Sequence, residues 1–255
     1  EGLNDYSGKS VSGVGDVNGD GFDDFLIGAW GNNENMEADI GQSYLIFGKA
    51  SGWSMNTSLS NVDASFLGTN REWSGSVVSG VGDVNGDGYD DFMIGAPNHE
   101  EYVYSGYRFT GKSYLILGKA SGWSMDTSLL SADASFRGAG TDVYSGDSIS
   151  GVGDVNGDGY DDFMIGIWRS YYDGADKGIS YLILGKGSGW TRNVKLADDA
   201  NASFFGENLY DYSGRSISGV GDVNGDGYDD FIIGAWGNDE GGQYAGKSYL
   251  ILGKA

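Results

Sequence analysis

Asp16-Val17-Asn18-Gly19-Asp20-Gly21-Phe22-Asp23-Asp24 is the stretch on which the reading of this chain turns. It returns at residues 83–91, 154–162 and 222–230, with only the seventh place changing, Phe22 against Tyr89, Tyr160 and Tyr228. Side chains that carry oxygen fall at places one, three, five and nine. Glycine at place six lets the chain turn sharply, because without a Cβ it takes positive φ freely. Calcium takes six to eight oxygens at roughly 2.3–2.6 Å. Three or four carboxylates held this close repel one another without a cation between them. Asp, Asn and Gly are also the commonest turn formers, so a single copy reads equally well as an acidic turn. Four copies with oxygens at the same places are not explained by turn chemistry. The expected ligands are the side chains of Asp16, Asn18, Asp20 and Asp24 with the Phe22 carbonyl, and those of Asp83, Asn85, Asp87 and Asp91 with the Tyr89 carbonyl. The third and fourth sets are Asp154, Asn156, Asp158 and Asp162 with the Tyr160 carbonyl, and Asp222, Asn224, Asp226 and Asp230 with the Tyr228 carbonyl.

The first six places also match the start of an EF-hand. That motif needs a bidentate Glu at place twelve and helices on both sides. Place twelve is Ile27, Ile94, Ile165 and Ile233, and the flanks Ser10 to Val14 and Phe25 to Ile27 read as strands. The EF-hand reading fails.

Outward from the loop, a whole unit repeats, and internal repeats decide the fold. Each copy opens with an aromatic-Ser-Gly step at Tyr6, Trp73, Tyr144 and Tyr212. A strand of small residues leads into the acidic loop, and an apolar strand leaves it, Phe25 to Gly28, Phe92 to Gly95, Phe163 to Gly166 and Phe231 to Gly234. A variable loop follows. The third strand is Ser-Tyr-Leu-Ile, starting at Ser43, Ser113, Ser180 and Ser248. A Ser-Gly-Trp turn (Trp53, Trp123, Trp190) and a short fourth strand (Ala64 to Phe66, Ala134 to Phe136, Ala202 to Phe204) complete three of the copies. Four short antiparallel strands per unit predict an all-β fold, a β-propeller of four blade units at roughly 1–70, 71–140, 141–208 and 209–255 within one domain over 1–255. Units of about 67 residues are long for a solenoid coil. The first strand is expected at the crowded axis and the second buried on both faces, which suits its unbroken apolar run. The sequence supplies only three fourth strands, so the last unit is expected to lack its outer one. An unpaired edge invites pairing.

These motifs resemble the FG-GAP repeats of the integrin α-subunit propeller and its bacterial relatives. The aromatic-Ser-Gly step stands where that family has Phe-Gly. Gly28-Ala-Trp30, Gly95-Ala-Pro97, Gly166-Ile-Trp168 and Gly234-Ala-Trp236 stand where it has Gly-Ala-Pro, and only the second copy keeps the proline. The resemblance implies a calcium loop between the first two strands of each blade and an extracellular, calcium-rigidified adhesion or binding module. Integrin-like propellers usually have seven blades and this chain has four units, so a partner subunit is not carried over.

Composition narrows the function. The 255 residues carry a formal charge of −22, no cysteine and 47 glycines. Four calcium ions would bring the charge to about −14. No basic stripe exists to neutralise phosphates, which excludes nucleic acid and argues against anionic membrane surfaces. No apolar run approaches the ~18–20 residues of a membrane span. The first residues have neither a basic start nor an apolar stretch, so no signal peptide is expected, as in a mature secreted chain. A catalytic triad could be built only around His99, which is expected to be an exposed loop residue with no nucleophile motif near it. Most paired carboxylates are claimed by the loops, so no enzyme is expected. Partners are expected to be a protein or glycan on a surface, or copies of the chain itself. A lectin would use Trp30, Trp168 and Trp236, beside loops carrying Tyr102, Tyr104, Tyr107, Tyr171, Tyr172 and Tyr244. The competing expectation is that these tryptophans pack between blades. A self-assembling structural subunit, its open edge completed by a neighbouring chain, is the third expectation.

Overall fold

The computed structural model describes residues 2–33, 39–69, 71–103, 106–138, 143–169 and 176–255, with 103, 106 and 107 described by backbone alone. The fold is all-β. The first unit gives β1 (Ser10–Gly15), β2 (Asp24–Ala29), β3 (Gln42–Ile46) and β4 (Ala64–Leu67). The second gives β5 (Val77–Gly82), β6 (Asp91–Ala96), a hairpin of β7 (Glu100–Val103) and β8 (Gly106–Phe109), then β9 (Lys112–Ile116), β10 (Thr127–Ser128) and β11 (Ala134–Arg137). The third gives β12 (Ser148–Gly153), β13 (Asp162–Ile167), β14 (Ile179–Ile183), β15 (Val194–Lys195), a single helical turn α1 (Leu196–Asp199) and β16 (Ala202–Phe205). The fourth gives β17 (Ser213–Gly221), β18 (Asp230–Ala235) and β19 (Lys247–Ile251).

Each unit pairs its strands antiparallel in chain order. One feature went unread in the sequence. The two-residue strands β10 and β15 cross to the preceding unit and pair parallel with its outer strand, Thr127 opposite Phe66 and Val194 opposite Phe136. Among the described residues the sheets are therefore β1-β2-β3-β4-β10, β5-β6-β9-β11-β15, β12-β13-β14-β16 and β17-β18-β19.

The inner strands β1, β5, β12 and β17 lie side by side in that order. Their small residues make this approach feasible. A Cβ at Gly80 would stand 2.8 Å from the Gly13 carbonyl, and one at Gly219 would stand 2.8 Å from the Gly151 carbonyl. Ser10 Oγ and Ser12 Oγ accept from Val78 N–H and Gly80 N–H of the next inner strand. The core lies in three slabs between adjacent sheets. Val17, Leu26, Leu45 and Phe66 meet Phe92, Ile94 and Tyr114 in the first slab. Phe136 meets Phe163 and Ile165 in the second, and Leu182 meets Phe231 and Ile233 in the third. Strands β6 and β13, with sheets on both sides, are buried at every residue, whereas β2 and β18 are buried in part.

The aromatic-Ser-Gly step docks one unit on the one before. The Gly75 carbonyl sits where a Cβ of Gly28 would be, 2.0 Å away, and Gly146 over Gly95 and Gly214 over Gly166 repeat the fit at 2.3 and 2.2 Å. This is why the apolar second strand ends in glycine. The step holds its aromatic residue at positive φ, +51° at Tyr6, +56° at Trp73, +42° at Tyr144 and +51° at Tyr212. Such a bulky residue there costs about 1–3 kcal/mol, which the docking contacts must offset.

Candidate metal centres

Each acidic loop hangs from an irregularity in the first strand pair, between Gly13 and Gly15 in the first copy and at the matching glycines of the others. The place-one carboxylate folds the loop around itself. Asp16 Oδ1 accepts from Gly19 N–H at 2.7 Å and Asp20 N–H at 3.0 Å, and Oδ2 accepts from Gly21 N–H at 2.8 Å. Asp83, Asp154 and Asp222 make the same three bonds. At Asp222 these backbone donors hold the carboxyl below its usual range. Place five accepts from the amide of place seven, Asp20 from Phe22 at 3.0 Å, and Asp87, Asp158 and Asp226 likewise. Asn18, Asn156 and Asn224 accept from the place-five amide at 2.8 Å. All of this requires place four to turn left-handed, with Gly19 at φ +74°.

Place nine is the buried member. Asp24 accepts from Val17 N–H at 3.1 Å and Gly48 N–H at 2.7 Å, so it ties the loop entrance to the end of β3. Asp91, Asp162 and Asp230 bridge Val84 to Gly118, Val155 to Gly185 and Val223 to Gly253. Burial pushes Asp24 up to about 6, Asp91 to about 8 and Asp162 to about 7. The two backbone donors pull each down, and the carboxylates at places five and one push it up again.

The donor set suits a hard divalent cation. It is all oxygen, each carboxylate has four lone-pair sites, and the hydrogen bonds described occupy one to three of them. Among the described residues no lysine or arginine pairs with a loop carboxylate. Nor do three acidic or histidine side chains converge there into a metal cluster by themselves. An ion would therefore need the asparagine oxygen and a main-chain carbonyl as well, which places three and seven supply.

The residues at place eight, to which the sequence reading gives no role, also have one. Asp90, Asp161 and Asp229 each accept from the place-one amide of the preceding loop. Burial, and then the charges of Asp90, Asp83 and Asp229, push the Asp161 carboxyl up. Nothing in the sequence marks a partner 74 to 78 residues away.

At the other end of the sheets, His99 is not the exposed loop residue expected. It is largely buried, and its Nδ1 lies 2.8 Å from Glu72 Oε2. Glu72, fully buried, also accepts from Tyr114 O–H at 2.9 Å and Thr69 N–H at 2.7 Å. Asp5 and Asp211 occupy the matching place before the aromatic step. Asp211 accepts from Asn208 N–H at 2.9 Å and Asn238 Nδ2 at 3.1 Å, and Asp5 accepts from Gly2 N–H. Val143 replaces the acid in the third unit.

The tryptophans divide. Trp30 stacks on Tyr6 (4.7 Å, 7°) and meets Trp73 of the next unit edge-on at 5.1 Å. Trp168 meets Tyr212 edge-on at 5.6 Å, donates to Asp147 Oδ2 and lies beneath the guanidinium groups of Arg169 and Arg215 at 4.7 and 4.8 Å. Trp236 stacks on Tyr212 at 5.0 Å and on Tyr244 at 6.1 Å, yet remains 49% exposed. Tyr102 and Tyr244 are exposed. Tyr104, Tyr171 and Tyr172 lie outside the described residues, as does the side chain of Tyr107. Trp123 and Trp190 of the Ser-Gly-Trp turns pack on Phe92 and Phe163, which makes them scaffold.

The FG-GAP repeat family matches residues 7–46, 74–116 and 213–251. The third unit, with the same loop, lies outside those stretches. Integrin alpha-V of Gallus gallus is 27% identical over 256 residues, 98% of this chain and 22% of the relative. Integrin alpha-4 of Xenopus laevis is 31% identical over 160 residues, 62% of this chain and 14% of the relative. Integrin alpha-PS2 of Drosophila melanogaster is 30% identical over 173 residues, 66% and 12%. The chain thus spans about a fifth or less of the length of these relatives. The chain carries FG-GAP repeats at these three places and is similar to the alpha subunits of integrins.

Proposed function

We propose that this chain is a calcium-binding, non-catalytic adhesion or binding module that works outside the cell. The four sheets are read as four blades of a propeller, the last without an outer strand in this stretch of chain. Calcium, one ion per loop, neutralises the carboxylates at places one, five and nine and pins the first strand of each blade to the second. The observation that carries this reading is the set of four loops whose place-one carboxylates make the same three bonds in every copy while, among the described residues, no side-chain cation compensates them. Similarity to integrin alpha subunits supports the adhesion role, and no helix among the described residues is long and apolar enough to cross a membrane. Calorimetric titration with calcium should give four ions per chain, and Asp20→Ala, Asp87→Ala, Asp158→Ala and Asp226→Ala should each remove one. Absence of binding heat at millimolar calcium, the range of extracellular modules, would sink the reading.

A glycan ligand is favoured by one observation, the exposed stack of Tyr212, Trp236 and Tyr244. Such faces accept the apolar side of a sugar ring. A glycan array separates this ligand class from a protein one.

A further inference from the structure

Successive loops are bound together at the first residue of each. Asp16 N–H donates to Asp90 Oδ2 at 2.8 Å, and Asp90 N–H donates back to the Asp16 carbonyl at 3.2 Å. The pair Asp83 and Asp161 repeats this at 2.9 and 3.2 Å, and Asp154 and Asp229 at 3.0 and 3.1 Å. The residue gripped by both backbone groups is the one whose carboxylate organises its loop. One place on, the carbonyls of Val17, Val84 and Val155 accept from the amides of Lys119, Lys186 and Lys254 in the next unit at 2.9, 2.8 and 2.8 Å. Glycine makes way for the aspartate. A Cβ at Gly15, Gly82 or Gly153 would lie 2.0 Å from the incoming Oδ2. The ring at place seven then covers the loop it reaches, Tyr89 over Gly19, Tyr160 over Gly86 and Tyr228 over Gly157.

We propose that Asp90, Asp161 and Asp229 are positioning residues for the calcium site of the preceding unit and not of their own. The inference rests on the calcium reading of the loops. Successive side chains at the start of a strand point to opposite faces, so neighbouring aspartates divide the work. Place nine turns to its own loop, as the bonds of Asp91 to Val84 show, and place eight reaches across to the loop before it. Deleting the place-eight carboxylate leaves the place-one amide without its acceptor and lets the first ligand drift.

The test is a calcium titration followed by the resolved amide signals of Gly21, Gly88, Gly159 and Gly227, whose N–H groups donate to the four place-one carboxylates. Asp90→Ala should weaken the response at Gly21 by about tenfold, the size of one lost charge-assisted hydrogen bond. The midpoint at Gly88 should stay within about twofold, as for an independent site. Asp161→Ala should move Gly88 in its turn. Asp90→Asn, which keeps an acceptor oxygen, should restore most of the affinity at Gly21, a rescue that a general packing role would not give. Should Asp90→Ala fail to fold, Asp90→Ser, too short to reach, carries the same expectation. A shift at Gly88 with Gly21 unmoved, or an equal shift at all four glycines, overturns the proposal. Wild-type signals indifferent to calcium would instead overturn the calcium reading on which it stands.

Discussion

The two ends of the sheets are built on opposite plans. At the acidic-loop end, the place-one carboxylate makes the same three bonds in every copy, and three successive pairs of loops are joined by the same two bonds. At the other end, each unit meets a similar demand with different residues. An acid buried before the aromatic step must be satisfied, by Tyr114, His99 and Thr69 N–H at Glu72, by Asn238 and Asn208 N–H at Asp211, and not at all where Val143 stands. Uniform bonding marks the end that holds the units in register. Individual bonding marks the end free to differ from unit to unit.

The largest effect expected should come from breaking the uniform end all at once. Chelation should lower the melting midpoint by more than about 10 °C. A ligand at a hundred times its Kd stabilises by about 2.7 kcal/mol per site, and a domain of this size shifts about 2–4 °C per kcal/mol. Calorimetry with EDTA, and again after calcium is restored, measures it. A midpoint that does not move would leave the loops as acidic turns and remove the basis of the comparison.

Next is the individual end. Glu72→Ala should cost about 2–4 kcal/mol, because it strands the buried hydroxyl of Tyr114, the ring nitrogen of His99 and the Thr69 amide. Urea unfolding in saturating calcium reads this directly. Stability unchanged in Glu72→Ala would mean the acid is kept for something other than holding its unit together.

These two ends were unequally legible. The nine-residue loop, the glycine turns and the run Phe25 to Ile27 are local signals, so the strands and the loop chemistry could be read from one copy and checked on three. What stayed hidden was nonlocal. The carboxylate of Asp90 is one more acid in an acidic loop until Asp16 is brought beside it by the packing of β1 on β5. The outer strand Thr127–Ser128, paired with Phe66 and Leu67, is two residues long and has no strand signature. Burial of Glu72 and His99 depends on their pairing with each other and with Tyr114, 27 and 42 residues from Glu72, which local sequence does not mark. Gly28 reads from sequence only as part of the apolar second strand, and what requires a glycine there is the carbonyl of Gly75 in the next unit.

A smaller effect isolates the contact across loops. Gly86 and Gly225 hold the same place with φ +72° and +78°, so alanine is strained equally at both. A Cβ at Gly86 would stand 2.6 Å from Tyr160, whereas nothing lies within 4 Å at Gly225. Gly86→Ala should therefore be less stable than Gly225→Ala by about 1–2 kcal/mol, the usual cost of overpacking. Equal melting midpoints would mean that the ring of Tyr160 gives way freely and that the seventh place contributes little to the register.

The smallest structural effect is expected at Trp236, where the functional effect should be largest. Trp30 is half-buried between Tyr6 and Trp73, and its replacement by alanine should cost about 2 kcal/mol, less than for a fully buried aromatic. Trp236 stacks on Tyr212 and Tyr244 at the surface, so Trp236→Ala should forfeit only about 1 kcal/mol of ring contact. If the individual end is where a ligand binds, the order reverses on a glycan or cell-surface binding assay. Trp236→Ala then loses binding with its melting midpoint nearly intact, and Trp30→Ala loses stability first. A Trp236→Ala protein that keeps both would show that the exposed stack serves neither purpose, and the ligand would have to be sought among the other connections at that end.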